Sequence, residues 1–257
     1  MPDKGTTNPP SQMPVGTLDF GGEPKPREPD PSGYEMALAA VTHARSHLNF
    51  VMEHTSQLLF RRISADNRVE VVQRRPKPLP EDQPLALEIE TKHCVEDLMS
   101  ALEYLAMEIY ERACCNDTVH ARPHIHKGVS FPIPSLNSTA EDYSARIEER
   151  FPQLRAKRPD VFEVLLNSRQ FSSGDTVWLD TISTTWPEVK HRRLSRPGTK
   201  PMRVHFGTPA GLVEGPTLDV EYFPGTRRGI VPNLTAAIFG VGILVKQISA
   251  LLPSPTT

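Results

Sequence analysis

The stretch VEDLMSALEYLAMEI, residues 95–109, decides the fold class of this chain of 257 residues. Its apolar residues recur at alternating spacings of three and four, which lays them along one stripe of an α-helix. The stripe consists of Val95, Leu98, Leu102, Leu105 and Ile109. Because such a stripe needs an apolar surface to pack against, a second amphipathic helix is expected beside it.

The segment that begins near Tyr34 supplies this partner helix. The same alternation of three and four predicts a helix of about 28 residues, with a stripe of Val41, Ala44, Leu48, Val51, Thr55 and Leu58. We expect the two helices to pack as an antiparallel pair whose stripes form the core.

Shorter helices are expected downstream of this pair. A capping box of Ser138 and Glu141 opens one of them. Others are predicted in DVFEVLL (160–166) and in SSGDTVWLDTIS (172–183). Asn233 is expected to cap a final helix over 234–252, whose apolar run of ten residues is roughly half of what a bilayer crossing needs. We therefore expect a buried helix and no membrane span.

Three segments have the β-branched content or the alternation of strands. They are VEVVQRR (69–75), MRVHFG (202–207) and LDVEYF (218–223), of which the last two are joined by the Gly- and Pro-rich TPAGLVEGPT (208–217). The expected fold is α+β and mainly helical, with the antiparallel helix pair, further short helices and a small antiparallel sheet in one domain over 34–257. Residues 1–33 are rich in Pro and Gly with few apolar side chains, which predicts a disordered tail.

The overall charge balance excludes one class of binding surface. The formal net charge is −2, from 29 basic and 31 acidic residues, so no long-range field is available to capture nucleic acid or an anionic membrane. The N-terminus has no apolar segment typical of a signal peptide, and the three cysteines are expected to be reduced in the cytoplasm. No cofactor is expected, because G-x-S-x-G, P-loop and G-x-G-x-x-G motifs do not occur.

The stretch CCNDTVHARPHIH, residues 114–126, concentrates possible metal ligands in a connecting segment. They are Cys114, Cys115, His120, His124 and His126. A closed zinc site usually takes its four ligands from closely spaced pairs, and this spacing matches no standard arrangement. We therefore expect no metal here.

Several short motifs resemble a group of uncharacterised bacterial proteins. They are LMSALEYLA (98–106), FPI (131–133), VKHRRL (189–194) and LDVEYF before the last helix, and the relatives have LRSALDHLA and DKHR at the first and third of these places. The resemblance covers roughly residues 35–252, and it rests on the order and spacing of the motifs.

The helix motif of those relatives is similar to the active-site signature of HEPN domains, many of which cleave RNA as dimers. In that signature an Arg contacts phosphate and a His assists proton transfer. The matching positions here are Met99 and Tyr104, with Glu103 at the acidic position. A thioether does not bind phosphate, and a phenol is a poor proton shuttle at neutral pH. The resemblance therefore implies a scaffold that has lost the chemistry, and no catalytic residue is predicted.

A basic cluster, Lys190, His191, Arg192 and Arg193, is the remaining candidate for binding a phosphate or a partner. Cations at a helix C-terminus also complement its dipole, so a structural role is open as well. Three functions are compatible with these observations: a non-enzymatic helical interaction module, a HEPN-like RNA-binding or RNA-cleaving protein that uses this cluster, and a self-associating subunit such as a homodimer.

Overall fold

The computed structural model describes residues 31–55, 57–63, 68–83, 85–114, 129–134, 138–168, 179, 182, 198–208, 211–222 and 229–252. Within these ranges the chain is mainly helical, as expected. A disordered tail was predicted for residues 1–33, and residues 1–30 of it lie outside the described residues.

Helix α1 spans Gly33–His54 and begins at a capping box. The backbone N–H of Glu35 donates to Ser32 Oγ over 3.3 Å, and the Glu35 carboxylate accepts from the backbone N–H of Ser32 over 2.8 Å. The helix is shorter than the sequence predicted. Thr55 is already extended, with φ −117° and ψ 158°, and Leu58 belongs to a strand instead of the helix.

Helix α2 spans Ala86–Ile109 and continues into one π-helical turn, Tyr110–Cys114. It runs antiparallel to α1, which confirms the predicted helix pair. Near the start of α1, the backbone N–H of Gly33 donates to Glu108 Oε1 over 2.5 Å. Nearer its end, the Cys94 thiol donates to the carbonyl of Ala44 over 3.3 Å.

In the described residues 138–168 three shorter helices follow: α3 over Ala140–Arg150, α4 over Leu154–Lys157 and α5 over Pro159–Asn167. The α3 capping box uses Thr139 and Asp142, so the prediction of Ser138 and Glu141 was wrong by one residue. Both pairs have the required spacing, and the sequence alone does not distinguish them. Tyr143 is fully buried and its hydroxyl donates to the carbonyl of Pro132 over 2.7 Å, which holds the segment 129–134 against α3.

Helix α6 spans Ile230–Leu251 and packs on α1, α2 and α5. It begins earlier than predicted, with Gly229 at the N-cap position, and Asn233 lies inside the first turn with its side-chain N–H donating to Gly229 O over 2.8 Å. Pro232 is tolerated there because the first N–H groups of a helix have no intrahelical partner. By length and composition alone, α6 could cross a membrane, and 44% of its most apolar window is buried within the protein.

The strands do not form the single small antiparallel sheet that the sequence predicted. They pair two by two, β1 (Gln57–Ile63) with β2 (Arg68–Arg74) and β3 (Gly198–Thr208) with β4 (Gly211–Tyr222), each pair antiparallel. The segment 208–217, expected to be a loop, is mostly part of β4. Only residues 209 and 210 separate the two strands, and the register shifts between Arg203 and His205.

The core lies where α1, α2 and α6 meet. Every residue of the stripe predicted in α2 is buried, and so are the stripe residues of α1 up to Thr55. Gly242 of α6 faces Val41 of α1 closely enough that a Cβ there would lie 3.8 Å from Val41 Cγ1. The helix pair is therefore fixed in register by apolar packing, which also fixes its polar faces.

Candidate metal centre

Histidines and carboxylates from both helices of the pair meet beside the apolar seam. On α1, His43 and His47 are four residues apart, and on α2 Glu90, His93 and Asp97 follow at spacings of three and four. Residues at these spacings lie along one face of a helix. Because the helices are antiparallel and in fixed register, the two faces come together near the end of α1 and the first half of α2.

Three side chains of this group are close enough to share one ion. The candidate ligand atoms of His47, Glu90 and His93 all lie within 4.8 Å of one another. His47 Nδ1 is hydrogen-bonded to Glu90 Oε2, and the rings of His47 and His93 have their centroids 5.2 Å apart. The side chains of His47 and Glu90 are 27% and 26% exposed, so solvent reaches the cluster.

Asp97 lies on the side of the His47 ring opposite Glu90. Its Oδ2 lies 3.5 Å from His47 Nε2, the ring nitrogen that faces away from Glu90. This oxygen is covered from solvent and accepts no hydrogen bond from the described residues. Burial raises the pKa of Asp97 above its ordinary value, and the neighbouring His47, His43 and His93 act in the opposite direction. Both nitrogens of the His47 ring therefore face a carboxylate.

A shallow groove of about 300 Å³ lies next to Glu90. Its walls are Asp82, Gln83, Leu85, Ala86, Ile89 and Glu90. Leu85 and Ile89 are 60% and 46% exposed. The groove therefore presents an exposed apolar surface beside Glu90.

No family model, curated protein or solved structure matches this chain. What the chain does must therefore be inferred from its own residues and their arrangement.

The positions that resemble the HEPN signature do not line an open cleft. Met99 is only 6% exposed and belongs to the core between the helices. Tyr104 is half-buried and packs against the same core, and Glu103 is also half-buried. An arginine at position 99 would be placed inside the protein, away from any phosphate in solution.

The other predicted site residues lie largely outside the described residues. This holds for Lys190, His191, Arg192 and Arg193, and for residues 115–126 of the stretch 114–126, where no metal was expected. Cys114 is described: it ends the π-helical turn, half-buried, and its carbonyl accepts from Lys157 Nζ over 3.2 Å. The predictions for both segments stay predictions.

A second polar cluster, at the opposite end of the helix pair, has a structural role. Glu108 is 5% exposed, accepts from the Gly33 N–H and pairs with Arg112 Nε. The Arg112 guanidinium lies 5.0 Å from the centroid of the Tyr34 ring. The Tyr34 hydroxyl is covered and has no hydrogen-bond partner among the described residues. Burial, followed by the charge of Glu108, raises the pKa of Tyr34 to about 12.

Sequence reasoning missed the His and carboxylate cluster, although a signal was present. The patterns are His-x3-His at 43–47 and Glu-x2-His-x3-Asp at 90–97. Helix pairs that bind metals often carry Glu-x2-His on facing helices. These spacings on both helices indicate two polar faces that could meet in an antiparallel pair.

Proposed function

We propose that this protein binds one divalent transition-metal ion between α1 and α2, with His47, Glu90 and His93 as ligands. The observation that carries the proposal is that three ligand atoms from two helices lie within 4.8 Å of one another. Metal bonds of about 2.0–2.2 Å put ligand atoms roughly 3.0–3.5 Å apart. The trio is therefore already close to the required spacing, and an ion would replace the hydrogen bond between His47 and Glu90.

The ligand types indicate which ions fit. Two imidazole nitrogens and one carboxylate oxygen suit zinc and the neighbouring first-row divalent ions. Magnesium and calcium prefer sites made of oxygen atoms alone. We accordingly propose a transition metal, with zinc and iron(II) both compatible with two histidines and one carboxylate.

The proposed ion has open coordination positions. Structural zinc sites are usually closed by four protein ligands, whereas catalytic sites have three and keep a position for water or substrate. Here three protein ligands lie at a face that solvent reaches, beside the groove at Leu85 and Ile89. The arrangement supports Lewis-acid chemistry on an exchangeable ligand better than a purely structural role.

Equilibrium dialysis of the purified, metal-stripped protein against Co²⁺ tests the proposal. We expect one ion per chain, lost in Glu90→Gln and in His93→Gln. His54→Gln is the matched control: His54 is on α1 too, but its Nδ1 lies 3.0 Å from the carbonyl of Lys77, outside the trio. Absence of stoichiometric binding by the native protein, or equal loss in the control, would contradict the proposal.

The hypotheses from the sequence remain separate proposals. A non-enzymatic interaction module and a self-associating subunit are both compatible with metal binding. RNA binding or RNA cleavage through Lys190–Arg193 depends on residues outside the described ranges.

A further inference from the structure

We infer that Asp97 is a positioning residue of this centre, which accepts a hydrogen bond from His47 Nε2–H and thereby turns Nδ1 towards the ion. The inference rests on the proposed metal site and adds to it a residue that does not touch the ion. Asp97 lies one helical turn beyond His93 on α2, so it shares the helix face of the ligands.

The geometry distinguishes Asp97 from the ligands. It does not belong to the set whose ligand atoms all lie within 4.8 Å of one another. Its described contact with that set is with His47 Nε2, at 3.5 Å. Glu90 is hydrogen-bonded to Nδ1 of the same ring, so the two carboxylates occupy opposite edges of one imidazole.

The covered oxygen of Asp97 provides the second observation. Oδ2 is shielded from solvent and accepts no hydrogen bond from the described residues. A buried acceptor without a donor is unfavourable, because its lost hydration is not replaced by a hydrogen bond. When Nδ1 binds an ion, the proton of the neutral ring resides on Nε2, which faces this acceptor. The present separation of 3.5 Å between His47 Nε2 and Asp97 Oδ2 is long for a hydrogen bond, and a small movement of the ring would shorten it to the normal length.

This arrangement has a known physical effect at metal sites. A carboxylate that accepts from the far nitrogen of a ligating histidine fixes its tautomer and orientation and makes it a better donor to the metal. Loss of such a partner typically weakens metal affinity about 10–100-fold. The ligand set itself stays intact.

The experiment compares Co²⁺ affinity and the visible absorption of the Co²⁺-saturated protein in the native chain, Asp97→Ala and Asp97→Asn. We expect about 10–100-fold weaker binding in Asp97→Ala, one ion per chain at saturation, and an absorption spectrum that keeps the native intensity because the three ligands remain. Asp97→Asn keeps the side-chain shape, so the Co²⁺ affinity of this variant is the test if the alanine variant folds poorly. Asp97→Glu should recover part of the affinity.

Glu96→Gln is the control for loss of a nearby negative charge. Glu96 is adjacent in sequence, and its carboxylate lies 3.5 Å from Lys92 Nζ. We expect native Co²⁺ affinity in this variant within about twofold, because of these two neighbouring carboxylates it is Asp97 that contacts the His47 ring. Equal weakening in Glu96→Gln and Asp97→Asn would overturn the inference, because a general field effect would then explain both.

Two other results would also overturn it. Folded Asp97→Ala and Asp97→Asn proteins with native affinity would show that the contact does not matter. A saturated Asp97→Ala protein whose Co²⁺ absorption differs in intensity and position from that of the native protein would make Asp97 a ligand instead. If the native protein binds no Co²⁺, the proposed metal site itself is wrong. If the native protein binds Co²⁺ and the Asp97 variants bind it equally well, only the role of Asp97 is wrong.

Discussion

Gly33 is the residue at which the start of α1 meets the end of α2. Its N–H binds the buried Glu108 carboxylate, and a Cβ built on it would lie 2.5 Å from Glu108 Cγ. That separation is too short for two carbon atoms, so a side chain here must shift Glu108, whose carboxylate contacts both Gly33 and Arg112.

We predict that Gly33→Ala lowers the free energy of unfolding by about 1–3 kcal/mol, as overpacking and a disturbed buried carboxylate do. Gly242→Ala is the matched control, because its Cβ would meet Val41 at an ordinary 3.8 Å. In the middle of α6 that change should raise the free energy of unfolding by up to about 1 kcal/mol through helix propensity. Urea unfolding measures both. A Gly33→Ala protein as stable as the native one would disprove the close contact.

Tyr34 gives a prediction at alkaline pH. Its pKa is raised from 10.0 to about 12 in the folded protein, so folding stabilises the protonated phenol. The resulting stability is complete below pH 10 and is lost as the pH rises from 10 to about 12. Tyr34→Phe should flatten the decline in unfolding free energy over this window. At pH 7 it should leave stability unchanged or raise it, because the hydroxyl has no partner among the described residues. An unaltered alkaline decline would count against this assignment.

At the scale of the element, the start of α1 depends on residues just before the expected domain boundary at residue 34. Ser32 caps the helix and Gly33 binds Glu108. We predict that a chain beginning at Tyr34 has a free energy of unfolding about 1–3 kcal/mol lower than a chain beginning at Pro31, through loss of the cap and of one charged hydrogen bond. Thermal and urea unfolding of the two truncated chains make the comparison. Equal stability would show that the cap contributes nothing.

The elements that the sequence predicted well are those set by apolar periodicity. Val95 to Ile109 fixed α2 and its buried face, because burial of a stripe outweighs local preferences. Helix ends were less predictable: α1 ends before Leu58, and α6 begins before Asn233. Several neighbouring residues can cap a helix at similar free energy, so tertiary contacts choose among them.

The metal cluster could be predicted only in part. The spacings of His43 and His47, and of Glu90, His93 and Asp97, are visible in the sequence. Polar residues at such spacings usually form a solvated helix face. Whether the two faces meet depends on the rotation and register of the paired helices, which the packing of residues such as Ala44 and Cys94 determines. The rotation and register of the helices depend on tertiary packing, which residue spacing alone does not specify.

At the scale of the whole molecule, a metal that joins α1 to α2 should stabilise the entire fold. An ion that binds only the folded state adds about 2.7 kcal/mol at a free concentration one hundred times its Kd. We predict that Zn²⁺ raises the Tm of the native protein and of His54→Gln, that EDTA reverses the increase, and that His93→Gln shows none. Stoichiometric binding of Zn²⁺ without any change in Tm would indicate that the ion does not bind between α1 and α2.

Arg158 brings the two ends of the described unit together. Its guanidinium donates to the carbonyl of Leu251 at the end of α6 over 2.5 Å, and it lies near enough to Tyr34 that its charge opposes the burial-driven rise in the pKa of that phenol. Neighbouring ends make a chain suited to circular permutation, in which a short linker joins residue 252 to residue 31. New termini in the exposed connection at 75–78 would make α2 the first helix of the polypeptide and α1 the last, followed by β1 and β2. The two helices that supply the proposed metal ligands would then lie near opposite ends of the chain. Metal binding by the permuted protein would therefore show that these two ends had packed together.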